Sequence, residues 1–313
     1  MRSPAPPNQA ARDERSALIA GIAAFSFWGI IPIYWKLVRA IPATEILAHR
    51  FVWTSGFLVC LLSWQKRWPD VATVVRSRRT LLLCLASGTA ISCNWMMFIW
   101  AVNANRVLET SLGYFMTPLV NVAFGALFLR ERLTRLQLAS VVLATIGVLN
   151  LTFGYGRFPW IAVGLCVSWG LYGLLRKASR TPAIPGLFLE TVMLLPFALL
   201  YLLFLNRTGA LVFGAAHSQE SLVLVVSGLV TGLPLVWFGH AARHLRLTTI
   251  GFLQYLAPSG TFFLGVFLYH EPFTRAHLIT FTLIWAALAI FTFEMVRLWR
   301  SREEAEAVPP IAD

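Results

Sequence analysis

The sequence predicts an all-α polytopic membrane protein, with ten transmembrane helices arranged as two inverted five-helix repeats. Three observations carry this. Of 313 residues, 58% are hydrophobic and only 13% charged, about half the charged share of a soluble domain. Ten apolar runs each approach the roughly 20 residues needed to cross a bilayer core of about 30 Å. Finally, the chain matches itself when displaced by 140 positions.

The runs are 17–38, 44–64, 80–102, 108–129, 136–153, 158–175, 183–205, 220–242, 247–269 and 276–296. The first is too long for a signal peptide, and it ends in Pro32, Trp35 and Lys36 without a small-residue cleavage site. The second and third are parted by the polar stretch Gln65–Asp70, and the fourth and fifth by Arg130-Glu131-Arg132. The fifth and sixth are joined by the short link Gly154-Tyr155-Gly156-Arg157. None of the runs has the ten-residue alternation of a barrel strand. Residues 1–16, with Pro4, Pro6 and Pro7, and residues 298–313 read as cytoplasmic tails, disordered over 1–16 and from 301 onward. The repeats then occupy 17–153 and 154–297.

The net charge is +12 and the isoelectric point about 10.3. Such a balance can attract nucleic acid, but a chain this apolar could not maintain a soluble surface. The basic residues instead follow the loops. With the N-terminus inside, nineteen of the 26 Lys and Arg lie in inside segments and six in outside ones, and Arg50 lies within a span. That bias orients membrane proteins. It predicts a multi-pass membrane protein with both termini cytoplasmic. Cys60, Cys84, Cys93 and Cys166 lie in apolar runs without CxxC or metal spacing, so they read as small core residues and no metal is expected.

At an offset of 140, residues 87–138 align without a gap. The identities include Ser87/Ser227, Gly88/Gly228, Arg106/Arg246, Pro118/Pro258, Gly125/Gly265 and Glu131/Glu271. At 141, Trp28 pairs with Trp169 and Lys36 with Lys177. Five helices is an odd number, so the second copy crosses the membrane inverted. Many secondary transporters are built this way, with the site between the halves. Duplication can also simply enlarge a membrane scaffold.

The tail of each half, Leu129-Arg130-Glu131-Arg132-Leu133 and Tyr269-His270-Glu271-Pro272-Phe273, resembles the EamA domain of the drug/metabolite transporter superfamily. Further stretches resemble the RarD permeases. They are Glu45–Trp53, Trp100–Asn103, Ser111–Phe115 leading to Pro118-Leu119, Leu189–Thr191 and Gly251–Tyr255. The resemblance covers roughly 17–297 and implies ten helices in two inverted units that transport a small metabolite or drug. Chloramphenicol is part of a family label and is not thereby a substrate. His270-Glu271-Pro272 and Arg130-Glu131 depart from the Gly-Glu usual in the superfamily.

Polar groups within a bilayer are costly and face a cavity or a partner. In the fourth run Thr110, Tyr114, Thr117 and Asn121 share one helical face. Gln254 and Thr261, with Tyr255 beside them, hold the equivalent face in the ninth run. Matched stripes suit cavity walls, although such residues also bind helices together. Trp28 and Trp169, near mid-helix, suit aromatic walls, and Asn94, Trp95, Trp237 and His240 are further candidates. Pro118 and Pro258 should kink their helices, as gate hinges or as passive bends. Gly88, Gly125 and their mates suit close helix packing. Glu45 and His49 are four residues apart beside Arg50, and can form either a proton-binding couple or a structural triplet. Glu190 lies about 10 Å into its helix. A buried carboxylate must be protonated or paired, so Glu190 is a proton carrier, the counter-charge of Arg50 or of a cationic substrate, or a structural ion pair. Glu131 and Glu271 read as salt-bridged or capping.

The sequence has no HExxH, GxSxG or phosphate-binding loop, and no soluble domain for ATP. The reading is therefore a cofactor-free, non-enzymatic secondary transporter in contact with lipid, whose cavity is formed by runs 1, 3, 4, 6, 8 and 9. It would move a small amphipathic solute by alternating access, coupled to protons or by exchange. A membrane-embedded enzyme or sensor using the same cavity, and a lipid-intermediate flippase, are the alternatives. Substrate, direction and oligomeric state are not specified by the sequence.

Overall fold

Apolar runs of this length become helices, even with Pro32, Pro196 and Pro234 inside them, because no other single segment satisfies its own backbone in a bilayer. The computed structural model describes residues 7–129, 133–155, 157–179, 181–245 and 253–307. Their elements are α1 (Pro7–Lys36), α2 (Ala43–Trp64), α3 (Trp68–Val75), α4 (Arg78–Asn103), α5 (Val107–Leu129), α6 (Arg135–Tyr155), α7 (Trp160–Ser179), α8 (Ala183–Thr208), α9 (Ser218–His244), α10 (Leu256–Phe263) and α11 (Arg275–Ala307). A 3-10 turn precedes α9 at Ala215–His217, and a π-turn continues α10 over Leu264–Leu268. No strand occurs among the described residues.

Among the described residues, seven segments are long and apolar enough to cross a membrane: Arg15–Lys36, Ala43–Trp64, Arg78–Asn103, Arg135–Gly154, Ala183–Thr208, Ser218–Phe238 and Arg275–Glu294. Trp160–Arg176 and Leu256–Leu268 are shorter apolar helices. Large apolar side chains cover the outside of the bundle, including Leu127, Phe153, Leu200, Phe204 and Phe267. A water-soluble monomer rarely exposes contiguous apolar surface on this scale. The chain is a multi-pass membrane protein.

Four expectations are corrected. The N-terminal stretch is helical from Pro7, because proline is compatible with a first helical turn and Gln9-Ala10-Ala11-Arg12 favours helix. At the other end, α11 runs on to Ala307 through the helix-forming Glu303-Glu304-Ala305-Glu306. The polar break after α2 contains α3, which starts at a proline-bearing first turn and buries Val71 and Val74. Cys60 and Cys93 are exposed on the bundle surface, whereas Cys84 and Cys166 are buried.

Helices pack in crossed pairs: α4 on α7 and α8, α5 on α7 and α10, α1 on α9 and α10, and α2 on α8 and α9. α6 packs against α11. Close crossings need small residues. A methyl built on Gly88 would lie 3.0 Å from the carbonyl oxygen of Glu190, and one on Gly228 would collide with the carbonyl group of Trp53. These repeat mates seat α4 on α8 and α9 on α2.

Candidate functional site

The crossed pairs leave a cavity of about 430 Å³ between α1, α2, α4, α5, α7, α8, α9 and α10, within the size range of small-molecule pockets. Its walls are aromatic and aliphatic. Phe25, Trp28 and Phe238 form one cluster, with Trp28 5.3 Å from Phe25 and 5.9 Å from Phe238 between ring centroids. Opposite, Trp169 sits edge-on to Tyr114 at 6.0 Å and 5.7 Å from Tyr172. The cavity extends from Trp35 and Arg50 at one end to Arg176, Ala183 and Ile184 at the other.

Arg50 projects from the second turn of α2. Its guanidinium lies 3.7 Å from the centroid of the Trp95 ring and 5.2 Å from that of Trp35. Cation–π contacts of this kind, once desolvated, contribute about 2 kcal/mol. Its Nε is sealed from solvent and has no hydrogen-bond partner, and no ion pair among the described residues engages it. Nearby Tyr114 donates to Asn94 Oδ1 at 3.0 Å, and Tyr34 donates to the carbonyl of Val223.

Glu190 stands seven residues into α8, as Arg50 stands seven into α2. Its carboxylate is fully enclosed. Ser87 Oγ donates to it at 2.6 Å, Tyr172 at 3.3 Å and Arg176 Nη1 at 3.4 Å. Arg176 also donates to Thr181 Oγ1 at 2.8 Å and to the carbonyls of Pro182 and Ala183. Glu190 is therefore the counter-charge of Arg176 rather than of Arg50. Arg176 was read from the sequence as a loop cation; the structure brings it back over the cavity mouth.

At the Arg50 end the bundle is tied shut. Glu271, in the loop before α11, accepts the amides of Val107 and Leu108 at 2.7 and 2.8 Å and so caps α5. Burial pushes its carboxyl above the usual carboxylate range, while those amides, Lys36 and Arg106 pull it back. Lys36 donates to Asn105 Oδ1 and lies 4.0 Å from the Tyr269 ring centroid. Glu45 accepts the amides of Val212 and Phe213 at 3.0 and 3.2 Å, fixing the loop after α8. His49 is only within 4.0 Å of Glu45, and its ring stacks on Phe213 with centroids 4.6 Å apart. The couple expected at this point is thus a loose contact beside a loop anchor.

Of the expected cavity residues, Trp28, Trp95, Tyr114, Thr117, Trp169, Gln254 and Thr261 line it. Asn94 stands behind the wall, donating to the Leu165 carbonyl and to Ser168 Oγ, each at 3.0 Å. The rest are corrected. Asn121 lies beyond the lining, exposed beside Gly170. Trp237 turns edge-on to Phe27 at 6.2 Å, His240 meets Ser16 at 3.0 Å, and Tyr255 packs on the α5–α6–α11 core. Thr110 is buried and donates to its own helix at Val107. Pro258 falls in the first turn of α10, just after the Gln254–Tyr255 turn that follows the helical Leu253 and interrupts the ninth run. α5 continues through position 118, and nothing is described of the Pro118 side chain. Glu131 lies outside the described residues. The second and seventh runs, not expected in the wall, contribute Arg50, Leu58 and Leu61, and Ala183, Ile184 and Leu187. Trp35, Phe98, Phe238 and Thr231 were also missed. Only their helical register, two turns or less from Trp28 or Trp95, hinted at some of them.

Comparison with known proteins is consistent across the chain. The model of the EamA-like transporter family matches residues 15–153. An uncharacterized transporter, YojE, of Bacillus subtilis (strain 168) is 43% identical over 92% of this chain and 97% of its own. Protein RarD of Escherichia coli (strain K12) is 40% identical over 91% of this chain and 97% of its own. A protein crystal structure with 20% identity superposes on 91% of this chain and 99% of its own at a TM-score of 0.56, which is a likeness of fold.

Proposed function

The chain belongs to the RarD-type permeases of the EamA-like transporter family, and on that footing we propose that it is a secondary transporter of the bacterial inner membrane, moving a small amphipathic solute by alternating access. It is a membrane transporter by family; the rest is our reading. The observation that supports it is a cavity that is lined by both halves of the chain and crossed by several ties at its Arg50 end. The ties at Glu271 and Glu45, and the contact of Lys36 with the Tyr269 ring, cross from one half of the chain to the other. At the opposite end Arg176, Ala183 and Gln254 rim the cavity.

Ten spans in two inverted repeats account for the packing. If α3 is set aside as an interfacial helix, exchanging each helix for the one five spans later turns α4–α7 into α9–α1. The same exchange turns α5–α7 into α10–α1 and α2–α9 into α8–α4, and each of these pairs is in contact. With both termini cytoplasmic, as the basic loops favour, the tied end is periplasmic and the cavity faces the cytoplasm. Rocking of the halves would break the periplasmic ties and close the Arg176 end.

We assign the coupling role to Glu190, with Arg176, Ser87 and Tyr172. A proton or solute that competes for the carboxylate would release Arg176 from α8 and unlock that mouth. Glu45 and His49 hold the opposite end instead. Proteoliposomes test both claims. Counterflow of a radiolabelled solute found by screening should be measurable, and Glu190→Gln should abolish gradient-driven flux. Normal driven flux in that variant removes the coupling role. Product formation or partner binding without counterflow removes transport itself.

A further inference from the structure

Two buried side-chain groups in the cavity wall lack a hydrogen-bond partner among the described residues: Arg50 Nε and Thr231 Oγ1. Arg50 is the more telling. A charge inside a membrane domain is retained when it meets a counter-ion, and an uncompensated one marks a ligand or ion path. No acid among the described residues pairs with it. Glu45 holds two loop amides through Oε1, and its buried Oε2 makes no bond to Arg50; Glu190 is bound to Arg176 and Ser87, and the Tyr34 and Tyr114 hydroxyls donate to acceptors of their own. Trp95 covers one face of the guanidinium; its edge stays free to form the paired N–H···O bonds that suit a carboxylate.

The two helices sharpen the point. Arg50 and Glu190 stand equally far into α2 and α8, yet one is a cation and the other an anion. Only the anion is neutralised within the protein. The cavity is thus polarised, with an open positive site at its closed end and aromatic walls along its length.

We infer that the cavity binds a small organic anion, whose carboxylate-type group docks on Arg50 against Trp95 while its flat or apolar body lies among Trp28, Trp169 and Phe238. The inference deepens the transport reading by naming the substrate class, and rests on it for the claim that the ligand moves.

The test uses the purified full-length chain in neutral detergent and calorimetric titration with three matched series: phenyl, indolyl and naphthyl acetates, their neutral amides, and the corresponding ethylamines. At least one acetate should bind saturably and ten-fold or more tighter than its amide, with the amine weaker still. Arg50→Gln should weaken that acetate at least ten-fold and leave the amide unchanged, and Arg50→Lys should fall between. Equal binding of acetate and amide to the unsubstituted protein, or no binding by any acetate, overturns the inference without recourse to a variant. In proteoliposomes, acetate binding without counterflow sustains the anion site but overturns transport. Counterflow of amide or amine alone sustains transport but overturns the anion site.

Discussion

Asn94 joins three helices through one amide. Its Nδ2 donates to Leu165 and Ser168 on α7, and its Oδ1 receives the Tyr114 hydroxyl from α5. Asn94→Leu would leave the buried Tyr114 hydroxyl on α5 without its acceptor, at a cost of about 1–3 kcal/mol, and would cut the bonds to α7, where Ser168 still donates to Leu165. A lower unfolding midpoint is expected in detergent, together with a reoriented Tyr114 and weaker ligand binding; an unchanged midpoint would deny that the amide is a structural tie. His270 shows the same dependence on local geometry. Its φ of 50° lies in the left-handed region, which explains why glycine is the usual residue there and why the departure seen in the sequence bears on a turn. The residue types at these sites were legible in the sequence, but their partners were not. Asn94 read as a cavity wall because helical spacing gives a direction around one axis, and only the neighbouring helix decides whether that direction meets space or a carbonyl.

Among the helices, the crossing points carry the structure. α9 crosses α2 at Gly228, where a Cβ would collide with the backbone of Trp53, whereas Gly173 on α7 has nothing within 4 Å. Gly228→Ala is therefore expected to destabilise by about 1–3 kcal/mol through overpacking. Gly173→Ala should be neutral or up to about 1 kcal/mol stabilising through helix propensity. Fluorescence-detected size exclusion after a heat ramp compares the two, and equal losses would refute the crossing argument. Gly88 and Gly228 were visible as repeat identities suited to packing, and that part of the sequence carries into the structure. At Pro258 the ninth run is interrupted rather than smoothly bent: Leu253 is helical, Gln254 and Tyr255 form a turn, and the proline stands in the first turn of the helix that follows.

For the molecule as a whole, one end is tied and the other is rimmed by Ala183 and Arg176. In a variant with the native cysteines replaced, Ala183→Cys should react with a membrane-impermeant maleimide in inside-out vesicles and be protected by a bound carboxylate. Asn105→Cys, at the tied end, should react only in right-side-out cells. Reversed labelling would invert the proposed orientation, and labelling of Ala183→Cys from both sides would deny a closed end.

The sequence by itself determined what the solvent imposes. Membrane insertion, helical spans and their approximate bounds follow from apolar length. The basic loops and the 140-residue repeat are likewise properties of linear order. Tertiary structure alone decided which polar groups are satisfied. Arg50, His49 and Glu190 all stand out in the sequence as ionisable residues within spans, and nothing in their spacing separates them. Folding places Ser87, Tyr172 and Arg176 around Glu190, and sets His49 on Phe213 beside an anchored Glu45. Among the described residues, Arg50 is left with two indole faces and no acid. The reason is geometric. Coulomb and hydrogen-bond energies fall off over a few ångströms, and residues 100 positions apart reach that range only when their helices cross.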